Sequence, residues 1–340
     1  MKPAVKRDWP LLPKMSWRGV LPDATPVLAG LTVHEVARMQ VDTVPAGSVA
    51  AVADDKLAKH LVGTTTDALR VTVPAHWQGE PLIIGGPASG VVQIDVGADS
   101  QVVIRELHNG AAAQSSLFLL INIEENAQVD LTTLDLTRGG AAIYRQVNVG
   151  RNAKLTWHAT SFGADAGFIY HSVNLNGQGA TADAKMAALT TSESRLIVTT
   201  AVTNVAPKTD GLITQHGVAS GGSQLLMNGI GSIVRGARGS NAQQENRVLM
   251  LSDRAEAESN PLLLIDENDV TAGHAASVSS IDKQQMYYLE SRGLQHDIAV
   301  HLVVRGFLLG LLPEELDAKL MTAIQAALEL QLGESTNERK

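Results

Sequence analysis

The chain has 340 residues, of which 44% are hydrophobic, 18% charged and 30 are glycine, a globular composition that excludes a disordered chain and fits one large domain or two. A net charge of −8, with no basic cluster larger than Arg235 to Arg238, argues against nucleic acid as a partner. There is no cysteine, so a disulfide framework is excluded and the chain can offer no thiolate of its own.

In chain order, the N-terminus runs from Met1-Lys2-Pro3 into prolines and tryptophans, not into an apolar core, so no signal peptide is expected there. Prolines at 3, 10, 13, 22, 26 and 45 predict a mostly irregular start, with a weak helix over Val33 to Gln40 and a short one over Asp54 to Val62. No stretch reaches the roughly 18 uncharged apolar residues that a membrane helix needs, and the expected location is the cytoplasm. Aromatic residues supply only 4% of the chain, so the core must be built from Val, Leu, Ile and Ala.

Four segments then align without gaps: Ile94 to Val102, Ile121 to Val129, Val147 to Leu155 and Val173 to Thr181, starting 27, 26 and 26 residues apart. Each alternates apolar and polar residues, bends at a turn residue (Asp99, Asn126, Asn152, Gly177), and resumes with an apolar one, the fourth being degraded at its end. A strand-turn-strand unit repeated at such a period predicts a solenoid, in which stacked coils share one aliphatic column. A β-sandwich with evenly spaced hairpins is the alternative. Strand patterns continue at Arg195 to Val205, Ser223 to Val234, Asn246 to Leu251 and Leu262 to Ile265. Asp282 is placed to cap a helix. Leu294 to Leu312 and Glu314 to Leu332 read as two more helices split by Pro313, the second with an apolar stripe at Leu316, Leu320, Ile324 and Leu328. These elements divide the chain into an irregular and helical region (1–75), a β core (76–280) and a helical region (281–340).

The stretch from Pro261 to Gly293 is the most informative. An apolar strand meets an acidic turn (Asp266, Glu267, Asp269), followed by His274 among Ala272, Gly273, Ala275, Ala276 and Ser277. Small neighbours let another surface or an inorganic ligand approach the imidazole closely. Asp269-Val270, His274, Asp282, Tyr287-Tyr288 and Ser291-Arg292-Gly293 together resemble the signature of the SufB/SufD family of iron–sulfur cluster assembly proteins. Ala272 stands where SufD-type members often carry a Cys, and Gly273 and Ala275 stand where the SufB type has acidic residues. The resemblance is therefore to the SufD side.

That resemblance implies a mainly β protein, a right-handed parallel β-helix flanked by short N-terminal and C-terminal helices. It implies a non-catalytic scaffold subunit of the SUF complex (SufBCD), which aids iron loading and cluster assembly at an interface with a SufB homologue. His274 would stand at that interface, and a SufC ATPase would dock on the C-terminal helices through Phe307, Leu308, Leu311 and Leu312. No cofactor would be held stably; iron or an iron–sulfur cluster would be shared transiently with the partner. Self-pairing in the partner's absence stays open.

Neutral imidazole suits iron, and Asp266, Glu267 and Asp269 could add hard oxygen ligands, although such a triplet is more often a solvated turn. His296 and His301 lie off a common helix face, and His158 and His171 are expected at the surface or in a groove. No phosphate-binding glycine loop and no Ser/His/Asp grouping occurs, so no catalysis by this chain alone is indicated. A carbohydrate-binding or carbohydrate-active β-helix is the second reading. Of the tryptophans at 9, 17, 77 and 157, only Trp77 and Trp157 could line its groove.

Overall fold

The computed structural model describes residues 32–34, 38–49, 56–63, 65–86, 89–313 and 315–337. Most of the early proline-rich segment lies outside them. The described residues form a parallel β-solenoid. Even-numbered strands stack on one side in the order β8(Lys154–Phe162), β10(Thr181–Thr190), β12(Asp210–Ala219), β14(Asn241–Met250), β16(Thr271–Ser280). Odd-numbered strands stack on the other: β9(Ala164–Leu175), β11(Arg195–Asn204), β13(Gln224–Ile233), β15(Glu256–Ile265). The long β6(Gln101–Ile123) and β7(Gln128–Val149) bend through a corner and contribute to both sides, with register shifts at Ala111/Gln114 and Gly139/Gly140.

The parallel pairing starts ahead of residue 76, with β3(Asp67–Val73) beside β5(Ser89–Val96) and β4(Leu82–Gly85) beside β6. Antiparallel strands β2(Gln40–Pro45) and β1(Thr32–His34) close this end. Val33 was expected to open a weak helix; it pairs instead with Ile84, because an edge strand offers backbone partners that a short isolated helix lacks. The other expected N-terminal helix is α1(Lys56–Gly63).

Each of the four aligned segments is the end of one strand, a turn, and the start of the next. The turns stack through left-handed residues: Asp99, Asn126, Asn152, Gly179, Lys208 and Gly239 all have positive φ. The N–H of Asp99 donates to Glu125 O (3.0 Å), that of Asn126 to Arg151 O (2.8 Å), and so on to Gly239 and Asp269 O (2.7 Å). Asp and Asn tolerate this conformation, which is why they recur at the turn. A second ladder fixes register on the sheet: Asn122 donates to Asp95 (2.8 Å), Asn148 to Asn122 (2.9 Å) and Asn174 to Asn148 (3.0 Å).

Inward-facing residues form one aliphatic core running along the coils, from Val71 and Val92 to Met227 and Val248. The two outer faces differ. On the odd side Phe118, Leu120, Ala142 and Tyr144 are covered by α1 through Leu57, Ala58 and Leu61. On the even side Leu134, Phe162, Ala187, Leu189 and Val218 are covered by α3(His296–Leu309), the following Leu311 and Leu312, and α4(Ala318–Asn337).

Candidate functional site

His274 lies on β16, the last strand of the even side, in register with Gln244 of β14. Side chains alternate across a strand, so its face is settled by its neighbours below. The column reads Leu131, Trp157, Ala184, Ile213, Gln244 and His274, and the first five are buried inside the solenoid. His274 is the exposed terminal member, because no further coil covers it among the described residues. Ala272, Ala275, Ala276 and Ser277 around it are exposed too, so the open end carries an accessible imidazole among short side chains. The outer edges of β15 and β16 have no strand partner among the described residues, and an unpaired edge is a template for another chain.

The acidic turn between β15 and β16 has a structural occupation. The Glu267 carboxylate accepts the backbone N–H groups of Gly236 and Asn268, both at 2.9 Å, and these bonds hold its carboxyl below the usual carboxylate range. Asp269 takes part through its carbonyl, and Asp266 through its N–H, which donates to Ile233 O. Asp282 caps α2(Lys283–Ser291) by accepting from the N–H of Gln284 (2.6 Å) and Gln285 (3.1 Å), as its place in the sequence predicts. Tyr287 and Tyr288 on that helix are exposed, and the Arg292 guanidinium lies 5.2 Å from the Tyr288 ring centre.

Phe307, Leu308, Leu311 and Leu312, expected to dock a partner, pack inward on the solenoid. Leu308, Leu311 and Leu312 are buried against the even face, and Phe307 stacks on His216 with ring centres 4.3 Å apart. His216 donates to Phe307 O (2.8 Å) and His158 to Leu311 O (2.6 Å), so two imidazoles pin this segment to the sheet. Burial pushes both rings below the usual histidine range. The large apolar residues that these helices leave in solvent are Ile298, Leu302 and Leu330.

His158 and His171 were expected near the surface, and both are buried. The inward alternation explains His171, which stands in the interior column Leu119, Arg145, His171, Thr200 and Gly229. Its ring packs tilted against Trp157, with centres 4.4 Å apart, and approaches Arg145 (3.4 Å). Burial, with the Arg145 cation as a lesser cause, pushes it well below the usual range. Trp157 and Trp77 are interior as well, which leaves neither available to line a saccharide groove.

A buried charged cluster sits deeper, and the motifs did not point to it. Arg145 donates to both carboxylates, to Glu106 at 2.8 Å and to Asp135 at 2.7 Å, with all three side chains almost fully buried. His108 donates from Nδ1 to Gly86 O (2.9 Å) and faces Glu106 through Nε2. Both partners are acceptors, so the ring is an imidazolium. Burial alone would lower His108, but the Glu106 carboxylate raises it; burial alone would raise Glu106, but Arg145 and His108 hold it far below the carboxylate range. Two anions thus face two cations. Glu106, His108 and Asp135 are the one three-ligand group among the described residues, but the Arg145 guanidinium already supplies their counter-charge. Counting by twos from Ile104, Leu131 and Val147 places Glu106, His108, Asp135 and Arg145 on the inner face, so the alternation held the signal.

Comparison with known proteins gives these features a family. Residues 86–307, more than half of the chain, match the family model described as SUF system FeS cluster assembly, SufBD core domain. SufD of Bacillus subtilis is 40% identical over 187 residues, covering 54% of this chain and 43% of that protein. A SufBD family protein of Mycobacterium tuberculosis is 27% identical over 214 residues, 62% of this chain and 25% of that one. A chloroplastic SufBD family protein of Arabidopsis thaliana is 24% identical over 204 residues, 58% and 37%. The chain spans less than half the length of each of these relatives. No described helix is long and apolar enough to cross a membrane. The solenoid and its match to the core domain place the chain in the SufB/SufD family of iron–sulfur cluster assembly proteins, on the SufD side.

Proposed function

We propose that the chain is a non-catalytic scaffold subunit of a SUF complex. It pairs with a SufB homologue through the open end of the solenoid and recruits a SufC ATPase through its C-terminal helices. The observation that carries this reading is the position of His274, an exposed imidazole on the last rung of a thiol-free solenoid. A chain without cysteine cannot hold an iron–sulfur cluster by the usual thiolates, so the sulfur chemistry belongs to the partner and this chain adds an imidazole and a surface. Imidazole is a suitable borderline ligand for iron. Iron and the nascent cluster are therefore cargo at a shared interface. The complex works in the cytoplasm.

Asp266 and Asp269 add carboxylates near the same end, with Glu267 committed to the turn. Exposed Ile298, Leu302 and Leu330 offer the apolar contact area that buried Leu308, Leu311 and Leu312 do not, and these last three, with Phe307, support the docking helices from beneath. The test is His274→Ala in the reconstituted complex of this chain with its SufB and SufC partners. The variant should fold and assemble, and should lose most of the iron loading and cluster yield. Undiminished cluster yield would remove His274 from the mechanism.

A further inference from the structure

We infer that the last coil carries an acidic rim that disfavours a second copy of this chain and selects a protein partner with basic groups around its own docking end. The inference rests on the reading of the open end just given, and adds the chemistry of the surface that meets it. Charge is concentrated there. Residues 252–282, from the turn before β15 to the cap of α2, hold seven carboxylates and one arginine, a formal charge of −6 out of −8 for the whole chain. The coil beneath, residues 221–251, holds three arginines and one glutamate, a formal charge of +2. The sign changes within one coil, so acidity is not a general property of these turns.

The carboxylates lie all round the perimeter. Asp253 stands in the turn that leads into β15, Glu256 and Glu258 on β15, Asp266 and Asp269 in the turn that leads into β16, and Asp282 after it; all six are exposed. The one cation, Arg254, is 3.7 Å from Glu193. Inside this rim is an uncharged floor. β16 carries no acidic residue, lysine or arginine. Its Ala272, Ala276 and Val278 are exposed, whereas Ala242, Asn246 and Val248, in register one coil below, are buried. A floor of small and apolar groups within a polar rim is the anatomy of a protein interface.

A second copy docked end to end about a twofold axis would present the same rim to itself. Each carboxylate would then face a surface of its own sign, and like charges set opposite each other are how an interface rejects a wrong partner. A basic rim reverses the sign. Attraction then speeds encounter, and salt screens it over about 10 Å at 0.1 M.

The test uses the full-length chain, alone and with the SufB homologue of its complex. Sedimentation should show the chain alone as a monomer at low salt. Stopped-flow mixing with the partner should give an association rate that falls as salt rises, a measurement that needs no altered protein. Asp253→Lys with Glu258→Lys should slow that rate about 10-fold or more at low salt. Glu80→Lys with Glu125→Lys makes the same change in net charge away from the open end, Glu125 lying five coils and roughly 24 Å from Asp269 along the turn ladder. That pair should alter the rate by less than about 2-fold. A dimer of the unaltered chain joined through β16 at low salt, or an association rate that ignores both salt and the Asp253 and Glu258 pair, would overturn the inference and leave the open-end reading standing. Unchanged β16 hydrogen exchange in a formed complex would remove that reading, and the inference with it.

Discussion

The two ends of the solenoid interior are built on opposite principles. In the early coils Glu106, Asp135, Arg145 and His108 are fully charged, nearly unexposed, and matched two against two. In the last coils the polar groups that share the interior with the aliphatic core are neutral: Thr200 donates to Gln215 (3.0 Å), Gln215 to Asn246 (3.0 Å), and Gln244 Oε1 and Asn246 Nδ2 have no partner. A closed interior must neutralise every charge it holds, because an unpaired buried ion costs several kcal/mol. An end that receives a partner can leave weaker groups open, since a neutral amide is a lesser penalty and a new contact can remove it. The closed coils thus hold a matched ion network, and the interior at the open end holds only neutral polar groups.

The sharpest way to break this contrast is to remove its central cation. Arg145→Met leaves two buried carboxylates without their guanidinium, and should destabilise the protein by about 3–5 kcal/mol. Urea denaturation measures it; a change below about 1 kcal/mol would mean that the cluster is not the closed ion network described. Gly229→Ala tests the other end. Its new methyl must displace the Gln244 amide, at a cost of about 1–3 kcal/mol, while the Arg145 network stays intact.

The pH dependence separates the histidines. His171 is held neutral in the fold, well below its ordinary 6.5. The unfolded chain therefore binds more protons below that value, and stability falls as pH drops under about 6.5, by up to about 1.4 kcal/mol per pH unit for one such group. His108, raised by Glu106, has the opposite sign: its contribution is full below 6.5 and is lost as pH rises through its higher folded value. His171→Gln should flatten the acid limb of a melting-temperature profile between pH 6.5 and 5, and an unchanged slope would contradict the buried placement. The smallest effect expected is at the turn column. Lys208, at φ 57°, holds a conformation that Asn adopts more readily, so Lys208→Asn should stabilise by about 1 kcal/mol or less.

How much of this was legible beforehand differs by element. The four aligned segments carried the solenoid, because Asp99, Asn126 and Asn152 mark left-handed turns that must stack, and the Ile-Asp, Ile-Asn and Val-Asn steps mark the ladder that sets register. Strands β14 and β15 begin five and six residues before the apolar runs at Asn246 and Leu262 suggest, since Asn241 to Glu245 and Glu256 to Pro261 are polar and gain strand structure from pairing with β12 and β13. His274 was conspicuous for its small neighbours. Gln244 was not, because nothing local to it predicts that its column ends in an imidazole 30 positions later. Phe307, Leu308, Leu311 and Leu312 stood out as more apolar than one helix face needs, but burial under His158 and His216 depends on a sheet more than 90 residues away.

In the proposed complex the open end of the solenoid, with His274 on its last strand, is the face that a SufB homologue covers. Hydrogen exchange of the Thr271–Ser280 amides, measured on the chain alone and in complex with that partner, tests it most directly. The account predicts marked slowing along β16 on complex formation, with the amides of β8 and β10 unchanged. Equal exchange of β16 in the free and the bound chain, in a complex shown to have formed, would contradict it.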